Sequence, residues 1–267
     1  MKISVVTVSF NQAPYLEAAI RSVIEQQGCE IEYIVVDPGS KDGSRDIIAR
    51  YAPHIAVQLL EPDRGPGDGL NKGFAHATGD IYCYLNSDDV FLPGAFAKAV
   101  EYFERHRDWD VICGNGYVID GAGKRLRRVY SDRFGLRPAA YGSAIAIQPS
   151  TFFRARAFHA AGGFNVENRS NWDGELAIDM ALAGAVFRNV PDFMSCYRVY
   201  AESITGSARL ADAHEQFERR MFRKIVGRDW HRLDVVPLAC YRVAKHLANP
   251  RATLERVFKG PVFGRSQ

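Results

Sequence analysis

Residues 80–89 read DIYCYLNSDD, an apolar run from Ile81 to Leu85 that breaks at Asn86 and ends on two adjacent acids, Asp88 and Asp89. Short apolar runs bounded by turn residues and interleaved with helical patterns mark strands of a mostly parallel sheet buried on both faces. Acids at the end of such a strand stand where the sheet meets a cleft. They repel one another unless a cation or a proton shares them. Hard oxygen donors select Mg2+ or Mn2+, whose open positions a substrate's phosphates fill. The same two residues also suit the cap of the helix that follows, so alone they leave both readings open.

Upstream, the pattern of strand and helix repeats three times. Ile3–Phe10 reads as a first strand, followed by Leu16, Ala19, Ile20, Val23 and Ile24 at helical spacing up to Gly28. Ile31–Asp37 is a second strand ending in a Pro-Gly-Ser turn, Ser44–Tyr51 a short helix, His54–Leu60 a third strand and Gly69–Ala77 a helix stopped by Gly79. Ligands of open parallel sheets bind outside the carboxyl ends of the strands. Here those ends carry Ser9-Phe10-Asn11, Asp37-Pro38-Gly39-Ser40 and Asn86-Ser87-Asp88-Asp89.

Downstream the pattern changes. Pro93–Arg105 is helical, whereas Asp110–Gly116, Val118–Asp120 and Lys124–Tyr130 around an Asp-Gly-Ala-Gly turn predict an antiparallel excursion. Ala144–Arg154 reads as a strand, Glu175–Ala183 as a helix, Phe187–Val190 and Ser195–Val199 as two short strands, and the chain from Ala208 onward as helical.

The 267 residues are 47% apolar and 24% charged, which excludes disorder and collagen-like repetition. No run approaches the length of a membrane span and Met1–Val8 lacks a signal-type apolar stretch, which predicts a cytoplasmic protein. Five cysteines without a C-x-x-C pair read as reduced core residues. The net charge of +3 is unevenly spread: residues 205–267 hold 13 Lys and Arg against 6 Asp and Glu, and residues 1–204 hold 21 against 25. Apolar residues such as Phe217, Met221, Phe222, Ile225, Leu238 and Val243 alternate with arginines in that basic tail, which predicts either a solvated helical face or contact with an anionic membrane surface.

Further motifs follow the same order as those of one known family. Val5–Asn11, VVDPGSKDGS at Val35–Ser44, EPDRGPGDGLNKG at Glu61–Gly73, ATGD at Ala77–Asp80 and LNSDD at Leu85–Asp89 resemble the family 2 glycosyltransferases of GT-A fold. The resemblance continues through QPSTFFR (Gln148–Arg154), GGFN (Gly162–Asn165), WDGEL (Trp172–Leu176) and YRVY followed by Ser-Ile-Thr (Tyr197–Thr205), covering residues 1–206. It implies an α/β, GT-A-like, three-layer mixed sheet with a nucleotide-sugar half at 1–90, an acceptor half at 91–206 and a basic helical extension at 207–267. It implies inverting transfer of a sugar from a nucleoside-diphosphate donor to a glycan or lipid-linked acceptor in surface polysaccharide synthesis. Asp173 matches the catalytic base. Ser9, Asn11, Asp37, Arg64, Asp68 and Asp88 match the donor pocket, and Asp88 and Asp89 the site of a divalent cation, Mn2+ or Mg2+. Trp172 and Glu175 are the acceptor candidates, with Tyr141 and Arg154 behind them. Pro38 stands where many relatives carry a second Asp, and Tyr200 where many carry a histidine. The expected partners are donor, acceptor and the inner face of the cell membrane, and not nucleic acid.

Two rivals stay open on the residues themselves. A sugar nucleotidyltransferase usually shows a loop rich in Gly, Arg and Lys after the first strand, which Ser9-Phe10-Asn11-Gln12 lacks. A non-catalytic nucleotide-sugar-binding protein would keep the same fold. Phosphate loops of the G-x-x-x-x-G-K type are missing and no G-x-G-x-x-G follows the first strand, which counts against kinase and nicotinamide-dehydrogenase readings.

Overall fold

The structure is a computed structural model and describes residues 1–200 and 211–260. In chain order it contains β1 (Lys2–Val8), α1 (Ala13–Ile24), β2 (Glu30–Val36), α2 (Ser44–Arg50), β3 (Val57–Leu59), α3 (Pro66–Ala75), β4 (Ile81–Asn86), β5 (Val90–Phe91), α4 (Ala95–Arg105), β6 (Val111–Ile119) and β7 (Arg125–Val129). There follow α5 (Leu136–Ala140), β8 (Thr151–Arg154), α6 (Ala155–Ala161), α7 (Trp172–Leu182), β9 (Phe187–Arg198), α8 (Ala211–Val226), α9 (Val235–Ala248) and α10 (Pro250–Lys259). One sheet in the order β3-β2-β1-β4-β8-β6-β9-β5, with β7 beside β6, runs through both predicted halves.

Strand periodicity builds the three layers. Successive side chains of a strand face opposite sides, so Val5, Tyr33, Val35, Cys83 and Leu85 meet α1, α2 and α4 on one face. Val6, Ile34, Val36, Tyr82 and Tyr84 meet α3, α6 and α7 on the other. The helices answer at their own period: Leu16, Ala19, Ile20 and Val23 of α1 are all buried. Gly73 of α3 lies so near β1 that a Cβ there would come within 2.5 Å of Val6. The fold is the GT-A-like mixed α/β arrangement that the motifs imply.

Parallel pairing sets the position of the site. Val8 of β1 lies in register with Val36 of β2 and with Asn86 of β4. The next residues of all three strands therefore leave the sheet along one edge, tied by Ser9 N–H to the Val36 carbonyl at 2.9 Å and Ser87 N–H to the Val8 carbonyl at 3.2 Å.

The second half differs from expectation in three places. Only Thr151–Arg154 of the expected Ala144–Arg154 strand is extended, because Gln148–Ser150 forms a tight turn around Pro149, which has no N–H to give a ladder. The two short strands expected at 187–190 and 195–199 are one strand, β9, which absorbs Pro191 through register shifts against β6 near Asn115. Asn115 fills the gap by donating to the Pro191 carbonyl at 2.9 Å. Cys240 is exposed, unlike the buried Cys83, Cys113 and Cys196.

The helices after residue 210 pack on the body. Met221 and Phe222 are buried, and Tyr141 stacks among Phe222, Trp230 and Tyr241 while its hydroxyl donates to Asp234 at 3.0 Å. Lys245 and Asp132 form a buried ion pair at 2.5 Å, and Arg127 donates to the Gly260 carbonyl. The expected domain boundary at 206 and the motif Ser203-Ile204-Thr205 lie outside the described residues. No helix among the described residues is long and apolar enough to cross a membrane.

Candidate active site

The loops after β1 and β2 are laced together by short polar side chains. Asn11, at φ +52°, donates its N–H to Ser40 Oγ at 2.8 Å and accepts from Lys41 N–H at 2.9 Å. Asn tolerates this left-handed geometry better than most residues. Asp37 is fully buried, its Oδ1 accepting from the N–H groups of Gly39 and Ser40 and from Arg45. Asp37 Oδ2 and Ser9 Oγ have no hydrogen-bond partner among the described residues. Buried polar atoms are nearly always satisfied, so these two stand out at the sheet edge.

The acidic pair at the end of β4 is split by its surroundings. Asp89 turns inward, where its Oδ1 accepts from Arg198 N–H at 2.8 Å. Burial and the charge of Asp88 push its carboxyl well up. Asp88 is only partly buried, with Tyr200 Oη 3.1 Å from its Oδ2 and 3.2 Å from Gln12 Oε1. Its carboxyl is also raised, by burial. Arg198 holds this corner from behind: Nε donates to the Asp88 carbonyl at 2.7 Å and Nη1 to the carbonyls of Asp120 and Gly121. The guanidinium also covers the Tyr15 ring at 4.7 Å.

On the far side, Asp173 lies in the first turn of α7 and faces a cavity of about 930 Å³ whose wall includes Tyr84, Gln148, Thr151 and Phe217. Burial raises the Asp173 carboxyl above its ordinary range, against the pull of the helix's N–H groups. The Tyr84 phenol is pushed well up by burial and by the charges of Asp173 and Asp89. Tyr84 lines the same cavity as Asp173, so β4 and the start of α7 meet there. Gln148 closes its floor, donating to the Tyr84 carbonyl at 2.9 Å and accepting from Asn86 at 3.3 Å.

The family model described as glycosyl transferase family 2 matches residues 4–162. The chain belongs to glycosyl transferase family 2. An uncharacterised glycosyltransferase of Nostoc is 37% identical over 141 residues, 49% of this chain and 44% of that protein. A Bacillus subtilis relative named for teichuronic acid biosynthesis is 35% identical over 103 residues, 38% of this chain and 41% of that one. The chain thus spans less than half the length of either relative. Among solved structures, S. aureus TarS 1-349 in complex with UDP-GlcNAc superposes with a TM-score of 0.68 at 19% identity, over 98% of this chain and 77% of that one. A mannosyltransferase of Pyrobaculum calidifontis in complex with GDP-Man and Mn2+ gives 0.65 at 22%, over 96% and 73%. At such identities the likeness speaks for the fold.

Within this family 2 chain, the expected residues divide by what their side chains touch. Ser9, Asn11, Asp37 and Asp88 share the sheet edge described above, and Asp173 lines the cavity beside Tyr84. Asp89 is buried beside Asp88, its Oδ1 accepting from Arg198 N–H and its Oδ2 without a hydrogen-bond partner among the described residues. Asp68 accepts from Arg64 N–H at 2.9 Å and pairs with Lys72 at 3.3 Å, so its carboxylate serves the first turn of α3, while the Arg64 side chain is exposed. Glu175 is buried, with its oxygens taken by Asn165, Asn168 and Arg220 of α8. Trp172 is only 8% exposed and belongs to the core around Phe74 and Phe164. Glu175 is thus tied to the α7 start and α8, while Trp172 Nε1 has no hydrogen-bond partner among the described residues. Arg154 is spent on the carbonyls of Trp109, Phe103 and His106. Arg198, Gln12, Tyr84 and Gln148 were not among the expected site residues, although Arg198 and Gln148 sit inside quoted motifs.

One contact ties α3 to the loop between α6 and α7. Asn71 of α3 donates to the Phe164 carbonyl and accepts from Phe164 N–H, both at 2.8 Å. Gly163 permits it, with φ +81° and no room for a Cβ beside Asn71 Oδ1. Replacing Asn71 by Ala should cost about 2 kcal/mol, from two hydrogen bonds. For a chain of this size that lowers the melting temperature by roughly 4–8 °C. An unchanged melt would show that the clamp contributes nothing.

Proposed function

We propose that this family 2 chain transfers a sugar, with inversion, from a nucleoside-diphosphate donor to a hydroxyl of a glycan or lipid-linked acceptor in surface polysaccharide synthesis, acting at the cytoplasmic face of the cell membrane. The observation that carries the reading is the cavity where β4 meets the start of α7: Asp173 and Tyr84 both line it, and the charges of Asp173 and of Asp89, at the β4 end, both act on the Tyr84 phenol. The unpartnered Asp37 Oδ2 and Ser9 Oγ suit the donor groups of a nucleobase or ribose on the adjoining edge. The named ligands of TarS and of the Pyrobaculum enzyme support a nucleotide-sugar donor without choosing its base.

The residues fit a divalent cation that is shared with substrate. No group of three or more His, Cys, Asp and Glu converges among the described residues, but Mg2+ and Mn2+ are commonly held by one or two carboxylates plus phosphate oxygens. Asp88 has no cationic side chain in ion-pair contact among the described residues, and it would be the protein's ligand. A bound ion there would neutralise charge on the departing diphosphate. Asp173 would take the proton from the acceptor hydroxyl on the opposite face of the sugar, and its raised carboxyl makes it a better proton acceptor than a solvated aspartate. Tyr84 and Gln148 shape the floor and exclude water beneath the reacting carbon.

The test is a thermal-shift and calorimetric screen of UDP-, GDP-, TDP- and CMP-sugars with and without Mn2+. Binding at a hundred times Kd stabilises the native state by about 2.7 kcal/mol, so one donor class should raise the melting temperature by several degrees. Asp88→Asn should remove the Mn2+-dependent part of that rise. Pyrophosphate release from a nucleoside triphosphate would favour the nucleotidyltransferase instead. Donor binding without turnover across an acceptor panel would favour a binding protein.

A further inference from the structure

The last two helices present apolar faces that nothing in the described residues covers. Along α9, Val236, Cys240, Val243 and Leu247 recur at spacings of four, three and four, and all are exposed. These spacings keep them on one face of the helix. Along α10, Leu254, Val257 and Phe258 do the same, while Ala252 and Glu255 on other faces engage the body. Leu247 is 77% and Phe258 81% exposed, values at which a large apolar side chain gains nothing from folding.

Charge says what covers them. Between residues 230 and 260 Arg232, Arg242 and Arg251 are exposed, while Lys259 pairs with Glu255 at 3.8 Å. The two acids of this stretch are both engaged. Asp234 is buried and bound to Arg228, and Glu255 accepts from Arg128 N–H. A second copy of the chain would set these cations against their own kind. An anionic surface would pair with them. Apolar side chains flanked by cations on amphipathic helices suit the boundary between head groups and acyl chains.

We propose that α9 and α10 form a docking face for an anionic lipid bilayer, independent of the transfer reaction. The same α9 turns Leu238 and Arg242 toward the cavity that holds Asp173, so docking sets that cavity beside the membrane surface.

Flotation of the full chain with phosphatidylcholine vesicles, with and without about a quarter phosphatidylglycerol, tests this. Each cation near an anionic surface strengthens partition by roughly fivefold, so the chain should float with the anionic vesicles at least about tenfold better than with neutral ones, and raised salt should release it. The double variant Leu247→Glu and Phe258→Glu should lose at least about tenfold in partition while its melting temperature and donor binding stay unchanged. No flotation, equal flotation of the variant, or equal partition to neutral vesicles would overturn the proposal. So would sedimentation showing a wild-type dimer that the variant abolishes, since the face would then be a self-association surface.

Discussion

Asp173→Asn should lower the transfer rate by about a thousandfold, the middle of the range for removing a general base, while donor affinity stays within a factor of a few. The amide keeps the shape of the side chain and its place in the first turn of α7, but it takes no proton. Because burial raises the Asp173 carboxyl, the acid limb of kcat/KM in the wild type should lie above the ordinary carboxylate range. The base works when deprotonated, so activity is lost as pH falls through that raised value. Stability moves the other way. The folded chain holds this proton more tightly than the unfolded chain, so the contribution of Asp173 to stability is greatest below its unfolded pKa and declines as pH rises through the folded one. The variant should therefore be at least as stable as the wild type at neutral pH. A rate within tenfold of wild type would remove Asp173 from the chemistry.

Arg198→Met should be the most damaging single change to the donor side. Its guanidinium satisfies the carbonyls of Asp88, Asp120 and Gly121, and methionine keeps the stem but leaves all three without that donor. Charged hydrogen bonds are worth about 1.5–3 kcal/mol each and are not additive, so a loss of about 3–5 kcal/mol in urea unfolding is expected. Released from Arg198, the Asp88 backbone should also weaken donor binding by about tenfold or more, a cost of about 1.4 kcal/mol. Arg198→Lys keeps the charge without the planar fork and should fall between the two. An unaltered urea midpoint would show that the corner is held by other contacts.

Much of the first half was legible because local signals and global packing agree there. Each expected strand from Ile3 to Asn86 is present within a few residues, since β-branched runs buried on both faces have no competing reading. The second half was harder. The gap expected between Val190 and Ser195 is filled by one continuous strand, because extra residues of β9 bulge out opposite Asn115 and take up Pro191. Asp37 and Asp88 stand at the strand ends where the sequence pattern put them. The contacts of Glu175 with Arg220 and of Asp89 with the N–H of Arg198 reach far along the chain and were not legible. Long-range pairing of this kind leaves no periodicity to detect.

The helices after residue 210 are more than an appendage, because Phe217, Phe222, Leu238 and Arg242 furnish part of the wall around Asp173. Shortening the chain before α8 would unroof the Asp173 cavity and strand the Glu175 carboxylate without its guanidinium. A trimmed protein that lost both vesicle attachment and turnover would therefore report on architecture, and surface point substitutions are the cleaner instrument for telling anchoring from catalysis.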